Sequence, residues 1–484
     1  MKPGSAISLV SLTLLAGCVV GPDYQRPEAL DSQPLPARFG SSTNEWKIAT
    51  PAAHLPRGTW WLVFQDPELH RLETLLVNGN QTLAGAVARF DRARAEFNLT
   101  RADLFPHLNA TGAATRQRTS AQAPQAGKAA GAAHTYNTFT TALTLGWEAD
   151  LWGRVRREAE SAQAAYAAAA DDLAAVQLAL QAELATDYFT LRALNIERAL
   201  VTDTIDTFRR SLELTRDRRK GGIVSDLDVA QAETQLRTAE AQLPALDRQH
   251  ARLMHALAIL CGQPATLFSV APPPQAQPGL PLVPASLPSE LLERRPDIAA
   301  AERRMALANA QVGVAQAAFF PRLRLNGLAG FQSIEAGSAF NWSSRMWSVG
   351  PALDLPLFTG GHNRAQLAAA HATYQATVAD YRQTVLNAFA DVEDQLAARQ
   401  YLAAQLDAER AALAAAKRAL AIANNRYAAG LVTFLEVATA QSAALQRERS
   451  VAQLEGAQNI TVVGLIRALG GGWDTTQSLA EIPP

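Results

Sequence analysis

Four short stretches of this chain alternate apolar and polar residues with the two-residue period of a β-strand. They lie near 108–118, 137–147, 322–332 and 346–355. In the first, Leu108, Ala110, Gly112 and Ala114 share a face, with Asn109, Thr111 and Thr115 on the other. In the second, Phe139, Thr141, Leu143, Leu145 and Trp147 oppose Thr138, Thr140, Ala142 and Thr144. In the third, Leu323, Leu325, Gly327, Ala329 and Phe331 oppose Arg322, Arg324, Asn326 and Gln332. In the fourth, Trp347, Val349, Pro351, Leu353 and Leu355 oppose Ser348, Gly350, Ala352 and Asp354. Each run has about the 9–11 residues that a tilted membrane strand needs. The same alternation also fits half-buried strands of a soluble sheet. Two features favour the membrane: aromatics stand near the strand ends (Trp147, Trp152, Trp347, Phe358), and the connections 119–136 and 333–345 are rich in Ala, Gly, Ser and Gln. Four strands cannot close a barrel, since about eight are the minimum, so transmembrane strands require the chain to oligomerise.

Elsewhere the period is helical. Leu173, Val176, Leu180, Leu184, Tyr188, Leu191 and Leu194 keep three-to-four spacing, and no proline interrupts the chain from Arg154 until Pro244. Gly221-Gly222 divides this run. A helix over 154–219 spans ~100 Å at 1.5 Å per residue, and a similar run over 363–427 breaks at Gly430. Such lengths suit a coiled-coil tube better than a globular core. Shorter helices end at Phe105-Pro106 and Phe320-Pro321, where proline disfavours helix at the preceding residue. The proline-loaded stretch 263–288 reads as a non-helical crossover.

The chain is written twice. Arg218 to Glu233, with Gly222, Ser225 and Asp228, is echoed by Arg426 to Gln441, with Gly430, Thr433 and Glu436, at an offset of 208 residues. That offset also pairs Arg156 with Arg364 and Tyr166 with Tyr374, whereas Pro106 pairs with Pro321 at 215. An insertion or deletion therefore lies between the two echoes. Each copy has the order helix, two strands, long helical hairpin.

Alanine supplies much of the 48% hydrophobic content, which suits long, closely packed helices. A net charge of -1 argues against a nucleic-acid grip or a polybasic anchor. Two cysteines, Cys18 and Cys261, exclude a disulfide framework and a four-thiolate site. The N-terminus has Lys2, an apolar core from Ala6 to Leu15, and then Leu15-Ala16-Gly17-Cys18. That core is too short to span a membrane and reads as a signal peptide, with small residues directly before a cysteine as in a bacterial lipobox. Cys18 is the expected first residue after cleavage and the expected acylation site. Enzyme chemistry finds little support: His250 and His255 are five apart, not the i, i+4 of zinc helices. Cys261 lacks a histidine–acid pattern and reads as a buried small residue, and Gly470-Gly471-Gly472 reads as a helix stop.

Three motifs carry a resemblance: Cys18-Val19-Val20-Gly21-Pro22-Asp23-Tyr24-Gln25-Arg26-Pro27; Trp60-Trp61 with Phe64, Asp66-Pro67 and Leu69; and Leu291-Leu292-Glu293-Arg294-Arg295-Pro296-Asp297-Ile298 with Glu302. In this order, and with the duplication, the chain resembles the TolC/OprM-type outer-membrane factors, in the lipidated, NodT-like branch, from Cys18 to roughly Leu469. The resemblance implies an α+β membrane protein: duplicated long coiled-coil hairpins plus four strands, forming a trimeric, twelve-stranded barrel continuous with a periplasmic α-barrel. The expected layout is a signal peptide over 1–17, a lipidated segment wrapping the outside over 18–65, and a first repeat over 66–262. The crossover over 263–288, a second repeat over 289–469 and a tail over 470–484 follow.

The implied function is the passive exit duct of a tripartite efflux system in the outer membrane. It hydrolyses nothing, needs no cofactor beyond the diacylglycerol and N-acyl lipid on Cys18, and has a periplasmic adaptor and an inner-membrane pump as partners. The alternatives are an outer-membrane duct for protein secretion and a lipid-anchored coiled-coil adaptor. In the family the turns at Gly222 and Gly430 are the tips that adaptor hairpins touch. Acids at the Glu436 position line the tunnel mouth, and the Asp228 position is hydrogen bonded to a tyrosine, here Tyr427. Two departures thin this network: Thr439 stands where a second acid is found, and Val432 replaces an arginine. Asp228 and Glu436 also fit ordinary helix starts favoured by the helix dipole.

Overall fold

The computed structural model describes residues 19–28, 59–120, 133, 135–271, 281 and 294–471. The chain forms two compact units. One comprises Met1–Glu28, Arg89–Ala169 and Ala300–Tyr381, and the other Ala29–Ala88, Ala170–Ala299 and Arg382–Pro484. Each unit takes segments from both halves of the duplication, so compactness cuts across the linear repeats.

The first unit holds one antiparallel sheet of β1 (His107–Arg118), β2 (Thr135–Ala149), β3 (Arg322–Ser333) and β4 (Arg345–Asp354), in the order β1-β2-β3-β4. The register joins the alternating faces without a slip. Leu108 faces Leu145, which faces Gly327, which faces Val349; one row on, Ala110, Leu143, Ala329 and Trp347 line up. A one-residue slip in any pair would have mixed the faces. The apolar face is open, with Leu108 65%, Trp347 73% and Val349 76% exposed. Phe358, read as a strand-end aromatic, lies beyond β4 and is exposed.

The helices are α1 (Pro67–Gly79), α2 (Gln81–Ala102), α3 (Arg154–Lys220), α4 (Asp226–Leu260), α5 (Pro296–Ala317), α6 (His362–Ala428) and α7 (Phe434–Ala468). A 3-10 turn over Trp60–Phe64 precedes them. Both long helices have 67 residues and both return helices 35. All four boundaries repeat at the 208-residue offset, whereas α2 to α5 and β1 to β3 repeat at 215. The seven-residue difference therefore falls between the end of β1 or β3 and the start of α3 or α6, within the second strand of each pair and its connections. Among the described residues no helix is long and apolar enough to cross a membrane.

The second unit has two apolar clusters. One gathers Trp60, Trp61, Phe64, Leu69, Leu72 and Leu76 against Leu184, Tyr188, Leu191, Leu257, Val463 and Leu465. The other lies toward the hairpin turns and holds Val201, Ile205, Phe208, Leu236, Tyr427, Phe434 and Val437. Between helices, much of the buried surface is alanine (Ala182, Ala185, Ala232, Ala239), which lets backbones approach.

Candidate functional site

Both hairpins turn with the same backbone device. Gly222 has φ 75° and Gly430 φ 72°, the left-handed region that glycine enters without strain. In the first turn Ile223 N–H bonds the carbonyl of Arg218 at 2.9 Å and Gly222 N–H that of Arg219 at 3.0 Å. In the second, Leu431 N–H bonds the carbonyl of Arg426 at 2.9 Å and Gly430 N–H that of Tyr427 at 3.1 Å. This pair of bonds is a Schellman cap, which satisfies the last helical carbonyls.

On this shared backbone the side chains differ. Arg219 clasps Asp226 with two bonds of 2.7 and 2.8 Å, and the hydrogen-bonded guanidinium holds the Asp226 carboxyl below the usual carboxylate range. The equivalent positions in the second turn are Tyr427 and Phe434, an edge-to-face aromatic pair 5.7 Å apart. Arg219 and Asp226 are exposed; Tyr427 and Phe434 are buried. Arg218 reaches from the first hairpin to the second, with its guanidinium 4.7 Å from the centre of the Tyr427 ring and Nη1 3.3 Å from the Tyr427 carbonyl oxygen.

Asp228 and Tyr427 are not hydrogen bonded to each other. Asp228 Oδ2 accepts from the Ser225 backbone at 3.0 Å and from Ser225 Oγ at 2.7 Å, while Ser225 Oγ accepts from Asp228 N–H at 3.3 Å. That is a capping box, which satisfies two orphan donors at the start of α4. The Tyr427 hydroxyl is buried and has no partner among the described residues. The expected Asp228–Tyr427 link is thus replaced by a local cap on one side and a cation–π contact on the other. Glu436 pairs with Arg426 at 3.3 Å. Arg218, Arg426 and Phe434 escaped the sequence reading, although the 208-residue offset already set Arg219 opposite Tyr427. Around the turns Ile223, Leu227, Leu431 and Leu435 are exposed by 73%, 65%, 70% and 54%, an apolar quartet at two pairs of equivalent positions.

The three sequence motifs each serve a packing role. Within the first unit, Val20 N–H bonds the Trp152 carbonyl at 2.9 Å, Asp23 pairs with buried Arg157 at 2.8 Å, and Arg26 meets the Tyr381 hydroxyl at 3.1 Å and Glu302 at 3.5 Å. Cys18 lies outside the described residues. In the second unit, Asp66 Oδ1 accepts from the backbones of Glu68 and Leu69, capping α1. Its Oδ2 accepts from the Tyr188 hydroxyl at 2.8 Å and from Arg192 at 2.7 Å. Arg295 binds Asp297 through two bonds, Asp391 at 3.0 Å and the Ala468 carbonyl at 3.1 Å, tying the start of α5 to α6 and the end of α7. Cys261 is buried, and burial pushes its thiol up to about 12, the opposite of an activated nucleophile.

A four-stranded antiparallel sheet with an open apolar face, joined to two duplicated helical hairpins, defines an outer-membrane factor. The family model described as "Outer membrane efflux protein" matches residues 73–263 and 287–471. The toluene efflux pump outer membrane protein TtgC of Pseudomonas putida is 35% identical over 476 residues, covering 97% of this chain and 96% of that protein. The probable outer membrane lipoprotein SilC of Salmonella typhimurium is 30% identical, covering 96% and 98%. The solved structure of the outer-membrane channel OprN is similar with a TM-score of 0.84 at 32% identity, covering 94% of this chain and all of that one. The chain belongs to the outer membrane efflux protein family. It is an outer-membrane channel component of an efflux system, a transport duct and not an enzyme.

Proposed function

We propose that three copies of this chain close a twelve-stranded barrel that continues into a periplasmic helical tunnel, the exit duct for small molecules delivered by an inner-membrane pump through a periplasmic adaptor. The observation that carries this reading is the sheet itself. β1 and β4 each pair on one side only, and in the rows of Leu108 and Ala110 the register carries an apolar face across all four strands. Unpaired edges cannot stand in hydrocarbon, so the strands must be closed by other copies. On β2 the face runs from Phe139 to Ala149. At about 3.4 Å per residue and a tilt of about 40°, that covers roughly 25 Å of membrane.

TtgC is named for toluene efflux, and apolar solvents of that kind are the cargo class proposed here. Acylation of Cys18 fits the same arrangement: Val20, two residues on, is bonded to Trp152, just past the end of β2 where α3 begins. Cys18→Ser then removes lipid labelling, and persistent labelling refutes the site. The domain layout over 18–65, 66–262 and 289–469 is proposed with it.

The turns at Gly222 and Gly430, with the apolar quartet Ile223, Leu227, Leu431 and Leu435, are proposed as the surface that adaptor hairpins meet. Asp228, Tyr427 and Glu436 are proposed as parts of the tunnel mouth, held by Arg218 over the Tyr427 ring instead of by a Tyr–Asp bond. Single-channel conductance in planar bilayers tests the mouth. Wild type conducts weakly, Arg218→Ala and Tyr427→Ala conduct more, and Tyr427→Phe matches wild type because the lost hydroxyl has no partner among the described residues. A rise in Tyr427→Phe equal to that in Arg218→Ala restores the hydroxyl link and removes the cation–π clasp.

A further inference from the structure

The apolar face of the sheet changes character at the end that carries the β1–β2 and β3–β4 connections. The even-numbered residues of β1 share the face of Leu108 and Ala110, and the odd-numbered residues of β4 share that of Trp347 and Val349. By that parity Arg116, Arg118 and Arg345 stand on the apolar face, not on the polar one. All three are exposed.

They also share a level. Arg345, the first residue of β4, is in one row with Phe331, Thr141 and Gly112, six residues short of the end of β1 at Arg118. At the opposite end, His107 of β1 shares a row with Gly350, four residues short of the end of β4 at Asp354. Both ends of the sheet are thus displaced in the same direction by four to six residues from β4 to β1, the stagger that tilted barrel strands require. Measured along a barrel axis, Arg116, Arg118 and Arg345 lie together at the strand ends.

Aromatic rings flank Arg345. The Arg345 guanidinium lies 4.7 Å from the Trp342 ring centre and donates to the Trp342 carbonyl at 2.8 Å, and Phe331 meets Phe340 edge-on at 5.9 Å. Trp342 and Phe340 are 74% and 71% exposed. Among the described residues no ion pair engages any of the three arginines. The connection 119–134 contains Lys128 and no acid, and the connection 334–344 contains one acid, Glu335.

Three cations just past an apolar band, without ion pairs among the described residues and with aromatics beside Arg345, have the chemistry of a site for anionic lipid headgroups. Arginine is suited to phosphate because its planar fork donates two parallel hydrogen bonds. We propose that Arg116, Arg118 and Arg345 bind the phosphate groups of a phosphorylated glycolipid in the outer leaflet, fixing the depth of the barrel in the membrane. The proposal rests on the reading of the sheet as a transmembrane barrel wall.

The test reconstitutes the full-length protein into phosphatidylcholine nanodiscs containing either lipid A with both phosphates or its dephosphorylated form, and measures the lipid retained per chain by native mass spectrometry. Wild type retains the phosphorylated form preferentially. Each of Arg116→Gln, Arg118→Gln and Arg345→Gln lowers that preference about fivefold, as expected for one cation at a membrane surface, and the triple variant retains both forms equally. Inorganic phosphate at millimolar concentration leaves retention unchanged if the site is built for lipid; full displacement reassigns it to the free ion. Equal retention by wild type and triple variant overturns the proposal. Heat-modifiable migration and protease protection of the strands are read on the same samples. If wild type lacks both, the barrel wall itself has failed and the lipid site with it; if wild type keeps both and shows no preference, only the lipid site has failed.

Discussion

Glu73 on α1 is fully buried, and neither carboxyl oxygen has a hydrogen-bond partner among the described residues. Burial pushes its pKa up to about 9 from 4.5. A carboxyl raised in this way is neutral in the folded protein and ionised once unfolded, so unfolding releases a proton between those two values. Its contribution to stability is full below pH 4.5 and is lost by about 1.4 kcal/mol per pH unit as pH rises toward 9. Glu73→Gln removes the ionisation, so the midpoint of chemical unfolding of the variant exceeds that of wild type by a margin that grows from pH 5 to pH 9. Parallel curves for the two proteins show that Glu73 is solvated or paired in the assembled channel. Nothing in the sequence marks Glu73: it stands in the amphipathic pattern of α1, and burial is set by partners distant in the chain. Tyr427 is a different case. The duplication placed it opposite Arg219, but the capping box formed by Ser225 and Asp228 competes for the carboxylate three residues away, a local bond that wins over a bond between hairpins.

At the scale of elements, long periodic runs and alternating runs were legible because their periods differ and each extends over many residues. The four strands, both long helices and both turns fall where the pattern puts them, to within two residues at most ends. The return helix α4 runs through Pro244, which a reading based on proline alone takes as a break. At both turns the backbone explains the residue. An added Cβ at Gly222 or Gly430 meets nothing within 4 Å, so substitution strains only the positive φ. Gly222→Ala and Gly430→Ala each cost about 1–2 kcal/mol, and asparagine at either site costs less; equal costs for alanine and asparagine would point to contacts in place of backbone strain. On the apolar face, Leu143 lies in mid-strand opposite Ala110 and Ala329, and Leu325 lies opposite Trp147 and Pro351. Leu143→Lys and Leu325→Lys each destabilise membrane assembly by about 2–4 kcal/mol, read as loss of the heat-modifiable oligomer, and normal yields from both place this face away from lipid.

For the whole molecule, the resemblance to outer-membrane factors rested on the order of the motifs and the duplication, which no single motif carries, and the family match bears it out. The proposed oligomer comes by a negative route: four strands are too few to close, so the reading supplies the missing partners as other copies. In the proposed barrel the edges that meet between copies are β1 and β4, which each have one neighbour in the sheet. Both strands run opposite ways in the sheet, so β4 of one copy can pair antiparallel with β1 of the next and close a ring. A cysteine scan of those edges tests this most directly, with single cysteines at Thr111 or Ala113 of β1 combined with Ser348 or Gly350 of β4, oxidised in intact outer membranes and resolved by denaturing electrophoresis. At least one pair is expected to give a ladder of one, two and three linked chains that stops at three. Chains that remain single in every pair, or a ladder that continues beyond three, would contradict the closed trimeric barrel.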